Sequence, residues 1–131
     1  MLDEKAIQLA QGKNFGVVST ILPSGHPQSQ VMWVDSDGEH IIFNTEIHRR
    51  KFKNLEQTPL VTVLILEEGN HWSYSEVRGH VAEIVRGQEA RDHIDALAKK
   101  YLDVDEYPNP IQSERVIVKI APDRVFSFPP S

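Results

Sequence analysis

Apolar and polar positions alternate with a period of two along most of the chain, and three stretches break that rhythm with the period of a helix. Residues 15–21 read as a strand, and Leu22-Pro23-Ser24-Gly25-His26-Pro27 has the turn chemistry to reverse it. A second strand over residues 28–34 follows, then the tight-turn run Asp35-Ser36-Asp37-Gly38 and a third strand over 39–44, which predicts a meander. Residues 60–66 are apolar on both faces, as in a strand buried from two sides. Glu67-Glu68-Gly69-Asn70 then turns the chain into a long strand over 71–85. Trp72, Tyr74, Glu76 and Arg78 share one face of it, and Ser73, Ser75, Val77 and Gly79 the other. Gly79 predicts a bulge or bend in so long a strand. Two last strands, 115–120 and 124–128, flank an expected turn at Ala121-Pro122-Asp123.

Helical spacing marks residues 3–11, with Asp3 as N-cap and Gly12 as stop, and residues 88–102, where Ala90, Ile94, Leu97, Ala98 and Tyr101 form an apolar stripe. A short helix follows Asn44-Thr45 and ends at Thr58-Pro59, because a proline pushes the preceding residue out of the helical region. Six or seven short, mostly antiparallel strands with helices between them predict a mainly β protein, and a small barrel is the arrangement that removes open edges. The 131 residues suit one domain spanning 1–131.

The short helix stands out once charge is considered. The chain carries net charge −5, yet Arg49, Arg50, Lys51 and Lys53 crowd one helix start. Free N–H groups at a helix start favour negative charge, and cations beside them add charge-assisted hydrogen bonds, so the segment reads as a phosphate site or as a solvated basic face. If the helix starts at Arg49, Arg49 and Lys53 share a face and Lys51 points away; if Arg49 stays in the entry loop, all three converge. Overall acidity argues against nucleic acid as a partner. No stretch reaches the roughly 20 apolar residues of a membrane-spanning helix, and the N-terminus lacks the blocks of a secretory signal, so a cytoplasmic protein is expected. The absence of cysteine excludes thiol chemistry.

No nucleophile elbow occurs, and no histidine pair has metal-ligand spacing, so neither a catalytic side chain nor a metal site is expected. Trp33, Trp72 and Tyr74 suit core or interface packing; their functional role would be to wall a flat aromatic ligand whose phosphate rests on Arg49, Lys51 and Lys53.

In order, the motifs Gly25-His26-Pro27, Val31-Met32-Trp33 with Asp37-Gly38, Asn44-Thr45, Arg49-Arg50-Lys51-Phe52-Lys53-Asn54-Leu55 and Pro59 resemble the pyridoxamine-phosphate-oxidase-like split barrels. Within that family the chain looks most like the branch using the deazaflavin coenzyme F420, as do Trp72-Ser73-Tyr74-Ser75-Glu76-Val77-Arg78-Gly79 and the closing run from Arg115. The resemblance implies a six-stranded antiparallel split β-barrel of the FMN-binding type with two to three helices. It also implies a homodimer with cofactor sites at the subunit interface. Arg49, Lys51 and Lys53 would hold the phosphate, Val31, Met32 and Trp33 would line the ring, and Asn44 and Thr45 would lie beneath it. Trp72 and Tyr74 would come from either subunit. His48 stands where relatives often have glycine, and Lys53 replaces a more usual arginine, losing a bidentate fork. The implied activity is a reductase that passes a hydride from reduced F420 to an electron-poor double bond of a small organic substrate. The alternatives are an FMN flavoprotein on the same fold and a non-catalytic binder of a flavin-like molecule or haem.

Overall fold

The structure is a computed structural model that describes residues 1–130. Its elements are α1 (Glu4–Gln11), β1 (Phe15–Ile21), β2 (Pro27–Trp33), β3 (Asp35–Ser36), β4 (Ile41–Glu46), α2 (Arg50–Gln57), β5 (Leu60–Glu67), β6 (Asn70–Val85), α3 (Gln88–Leu102) and β7 (Arg115–Phe128). All ladders are antiparallel and join one sheet in the order β2-β1-β5-β6-β7-β4-β3. The sheet curls into a half-barrel, bringing β2 near β4 with no ladder between them among the described residues. Among those residues no helix is long and apolar enough to cross a membrane.

Alternate residues of the strands fill the concave side. Val18, Phe43, Val63, Ile65, Val77 and Val118 are buried there, and Ala6, Leu9 and Ala10 of α1 close one end. The start of α1 is fixed by Asp3, whose Oδ1 accepts the Ala6 N–H at 2.8 Å, and its end by Gly12, whose N–H donates to the Gln8 carbonyl at 3.0 Å.

Three details depart from the sequence reading. Asp35 and Ser36 do not belong to a turn but form the short strand β3, paired with Ile42 and Ile41. The reversal falls at residues 37–40, where Asp37 Oδ1 accepts the N–H groups of Glu39 and His40 and Gly38 takes φ +92°. Residues 121–123 do not reverse the chain either. β6 is long enough to pair with both halves, so β7 runs unbroken beside it and the described residues form six longer strands plus the two-residue β3. The irregularity is absorbed by a register shift at Gly79, opposite Pro122, where the Ala121 carbonyl oxygen comes so close that a Cβ would sit 2.2 Å from it.

The third departure is on β5. Val61, Val63 and Ile65 are buried, but Leu64 and Leu66 are only partly covered and Leu60 is exposed, so this chain shields one face. The uncovered face continues across five strands by register, from Val31 on β2 through Val17 and Leu64 to Phe126 and Phe128 on β7. Val31 is 69% exposed and Trp72 70%. The Glu76–Arg78 pair on the same face is an ion pair at 3.0 Å.

Replacing Gly79 with alanine sets a Cβ against the Ala121 carbonyl and forces β6 and β7 apart at their register shift. Urea denaturation should show Gly79→Ala destabilised by about 3 kcal/mol, at the upper end for overpacking; a loss within experimental error would mean the bend is tolerant.

Candidate functional site

The gap between β2 and β4 combines apolar walls with convergent cations. It is a cleft of about 330 Å³, lined on one side by Val31, Met32 and Trp33 and on the other by Asn44, Thr45 and the α2 entry. Its position follows from the way α2 is held. Phe52 and Leu55 are buried in the core, and the fully buried Asn54 donates from Nδ2 to Thr20 Oγ1 at 3.0 Å and to Gln28 Oε1 at 3.2 Å. With those faces fixed, Lys51 turns inward. Arg49 is the N-cap, with extended φ −70° and ψ 147°, and makes no side-chain cap. No acidic residue lies in the first turn of α2, so its N-terminal dipole and its cations point the same way electrostatically.

One carboxylate organises the cations. Glu46, at the end of β4, is 1% exposed, and its Oε1 accepts the backbone N–H groups of Gln112 and Ser113 at 2.6 and 2.7 Å. Arg115 lies at 3.6 Å and Arg49 at 3.8 Å from Oε2. Burial pulls the carboxyl upward, but the Ser113 and Gln112 N–H groups with Arg115 and His48 outweigh it and hold Glu46 below the ordinary carboxylate range. Glu46 thus opposes Arg115 and Arg49, while Lys51 sits beside both cations with no carboxylate paired to it among the described residues, leaving excess positive charge in the cleft. Lys51 registers that excess. Burial, then Arg49 and Arg115, lower its ammonium to about 8, and it makes no hydrogen bond or ion pair among the described residues.

The remaining wall is aromatic. Trp33 stacks on Tyr101 with centroids 5.4 Å apart and planes 5° from parallel, and Tyr107 meets its edge at 6.0 Å. Tyr107 also lies under the Arg115 guanidinium, 4.8 Å from ring centroid to carbon.

Val31, Met32, Trp33, Asn44, Thr45, Arg49 and Lys51 therefore meet at one cleft. Lys53 is exposed and outside its lining, because two positions along a helix turn a side chain to nearly the opposite face from Lys51. Trp72 and Tyr74 stand on the outer sheet face, about 14 Å from β2 at three strand spacings. Sequence reasoning did not single out Arg115, Tyr107 or Asn109 for the site. The usable signal was Arg115, a charge opening the apolar run Val116-Ile117-Val118; that it pairs with Glu46 across β4 and β7 emerges only from the register. Tyr107 and Asn109 sit on a loop that folds back over the cleft, and nothing local announces that.

Removing the charge of Glu46 leaves buried cations unopposed. Glu46→Gln should cost about 3 kcal/mol in urea denaturation, in the range for breaking a buried ion pair. Because the folded-state pKa is depressed, the stabilisation is complete above the unfolded value and is lost as pH falls through the folded one. The wild-type protein should therefore lose stability more steeply than Glu46→Gln on acidification below the ordinary glutamate value; parallel profiles would show that the carboxylate is not ionised.

Comparison with known proteins places this geometry. Residues 2–128 match the family model described as pyridoxamine 5'-phosphate oxidase. Among solved structures, an F420 reductase superposes with TM-score 0.78 at 27% identity, covering 95% of this chain and 98% of its own. The General Stress Protein 26 from Bacillus anthracis str. Sterne gives 0.72 at 26%, covering 98% and 94%. A conserved hypothetical protein from Mycobacterium tuberculosis shares the fold, with 0.75 at 24%, covering 97% and 84%. Among curated proteins, no sequence matches significantly. With a half-barrel of this strand order and a family match over nearly its whole length, the chain belongs to the pyridoxamine 5'-phosphate oxidase family, a family of oxidoreductases that bind flavin-type cofactors.

Proposed function

We propose that the cleft binds coenzyme F420 and that the protein is an F420-dependent reductase of a small organic substrate. The observation that carries this reading is the cation cluster: Arg49 and Lys51 at the start of α2, which has no side-chain cap, meet Arg115, and among the described residues Glu46 is the one carboxylate paired with them. Arg115 is 7% exposed, and its Nε is buried without a hydrogen-bond partner among the described residues. A buried, unpartnered guanidinium N–H beside a surplus of positive charge fits a phosphate group. The likeness to an F420 reductase over nearly all of both chains supports the deazaflavin, and the family match supports FMN as the alternative at the same site.

When bound, the deazaflavin supplies the hydride that is delivered to an electron-poor double bond. The chain's own residues hold, orient and shield. Arg49, Lys51 and Arg115 would anchor the phosphate by charge, Trp33 and Met32 would wall the ring against water, and the buried Asn44 and Thr45 would close the β4 side of the cleft. Trp33 is held rigid by its stack on Tyr101, which fixes the plane of that wall.

The homodimer belongs to the same proposal. The outer sheet face is apolar and continuous with the cleft, since Phe15 and Val31 belong to both. A second copy is the occupant that matches it, because Glu76 and the Arg78–Arg124 pair at one end provide both signs of charge on a self-complementary patch. Trp72 and Tyr74, too far from their own cleft, would reach a cofactor only in the partner's.

Fluorescence titration of the purified protein with F420 and with FMN separates the two cofactors; binding of neither sinks the reading. Lys51→Ala should weaken binding by about 2 kcal/mol, as for one charge-assisted hydrogen bond in a partly buried site, and Lys53→Ala by less than about 0.5 kcal/mol. A bound anion raises the Lys51 pKa from its value of about 8 in the free protein, so binding takes up a proton at alkaline pH. Affinity should therefore fall by up to about tenfold per pH unit above that value; a flat profile to pH 9.5 would remove Lys51 from the phosphate. Sedimentation should give a dimer for the wild type and a monomer for Leu64→Arg, which puts a charge in the middle of the apolar face.

A further inference from the structure

Arg115 owes its place in the cleft to a side chain that does not line it. Among the described residues, the guanidinium makes one hydrogen bond, from Nη1 to Asn44 Oδ1 at 3.2 Å; Glu46 at 3.6 Å supplies charge without a hydrogen bond, and Tyr107 a ring face. Asn44 is itself buried, at 4% exposure. Its Nδ2 donates to the Ala90 carbonyl of α3 at 2.9 Å and lies 3.1 Å from His93 Nδ1. A carbonyl only accepts and a guanidinium only donates, so the amide has one permitted orientation, with nitrogen toward α3 and oxygen toward Arg115.

That orientation determines the histidine. Both Nδ2 protons point to α3, one to Ala90 and one to His93, so His93 Nδ1 must present a lone pair and the ring proton must sit on Nε2. A proton added at Nδ1 would set N–H against N–H. Asn44 would then have to swing away, and Arg115 would lose its single hydrogen bond.

We propose that His93 is a positioning residue: in its neutral Nε2–H form it locks Asn44, and through Asn44 it sets the Arg115 guanidinium in the cleft, so that protonation of His93 releases Arg115. The charged groups acting on His93 come from β3, α3 and β7. Asp35 of β3 and Glu89 of α3 favour the charged ring, while Lys100 of α3 and Lys119 of β7 oppose it. Burial, the largest influence, pushes the imidazole below its ordinary value, which keeps the lock closed near neutral pH. The consequence for phosphate binding rests on the reading of the cleft given above, but the coupling of His93 to Arg115 does not.

Nitrogen-15 NMR of the ligand-free protein tests the coupling directly. The expected result is an Nε2–H tautomer for His93 at pH 7.5 and an Arg115 Nε–H resonance that shifts on acidification with the midpoint of the His93 ring. In His93→Gln, whose amide oxygen can accept from Asn44 without titrating, that step should vanish. An Nδ1–H tautomer, or an Arg115 resonance indifferent to the His93 titration, overturns the proposal. Titration with F420 and with FMN at pH 7.5 adds the functional side. His93→Leu should weaken binding about tenfold, the size expected for one buried donor left unpaired, and His93→Gln should restore most of it. In an Arg115→Ala background His93→Leu should add nothing; a full additional tenfold loss there would show that His93 acts by another route. If the wild type binds neither cofactor, the cofactor reading fails and the NMR result alone decides the positioning role.

Discussion

A single buried carboxylate holds the site together. Glu46 joins two stretches of the chain that are distant in sequence: residues 46–49, from the end of β4 to the Arg49 N-cap of α2, and residues 112–115, whose Gln112 and Ser113 N–H groups it accepts and whose Arg115 lies beside its second oxygen. Ionised carboxylates are rarely buried unless their lone pairs are satisfied, and here two backbone donors satisfy one oxygen while charge alone compensates the other. The fold gains from this a fixed β4–β7 junction. The cleft gains three cations held closer together than they would choose in water.

The tension shows on Lys51, whose lowered pKa is the signature of an ammonium that the folded chain does not fully compensate. A site that leaves charge uncompensated is less stable by itself and better prepared for an anion, since the reorganisation is already done. The outer sheet face carries a similar debt in apolar form: Val31, Trp72 and Phe126 stay in solvent where a closed fold would bury them. Both features meet at the rim of the cleft, where Phe15 and Val31 serve wall and face together. The His93–Asn44–Arg115 chain adds a second control on the same charges from behind β4.

Much of this was legible in the chain because it depends on neighbours in sequence. The cap at Asp3, the stop at Gly12, the helix Gln88–Leu102 and the bend at Gly79 follow from the residues that form them. The basic entry to α2 and the Val31-Met32-Trp33 wall were equally visible as local patterns. Other features were hidden for a physical reason. Ala121-Pro122-Asp123 has turn chemistry, yet a long partner strand overrides it by pairing with both sides. Two apolar faces on β5 do not say what covers the second one.

What the sequence by itself determined is the inventory: alternation that makes strands, a cationic helix start, and a flat aromatic beside it. Which of those charges share a space was decided only by tertiary structure: pairing register sets Arg115 against Glu46, and the burial of Phe52, Asn54 and Leu55 fixes which side of α2 faces in, so that Lys51 points into the cleft and Lys53 to water. Electrostatic energy depends on distance through space, and the pairing of β4 with β7 turns a separation of more than sixty residues into 3.6 Å.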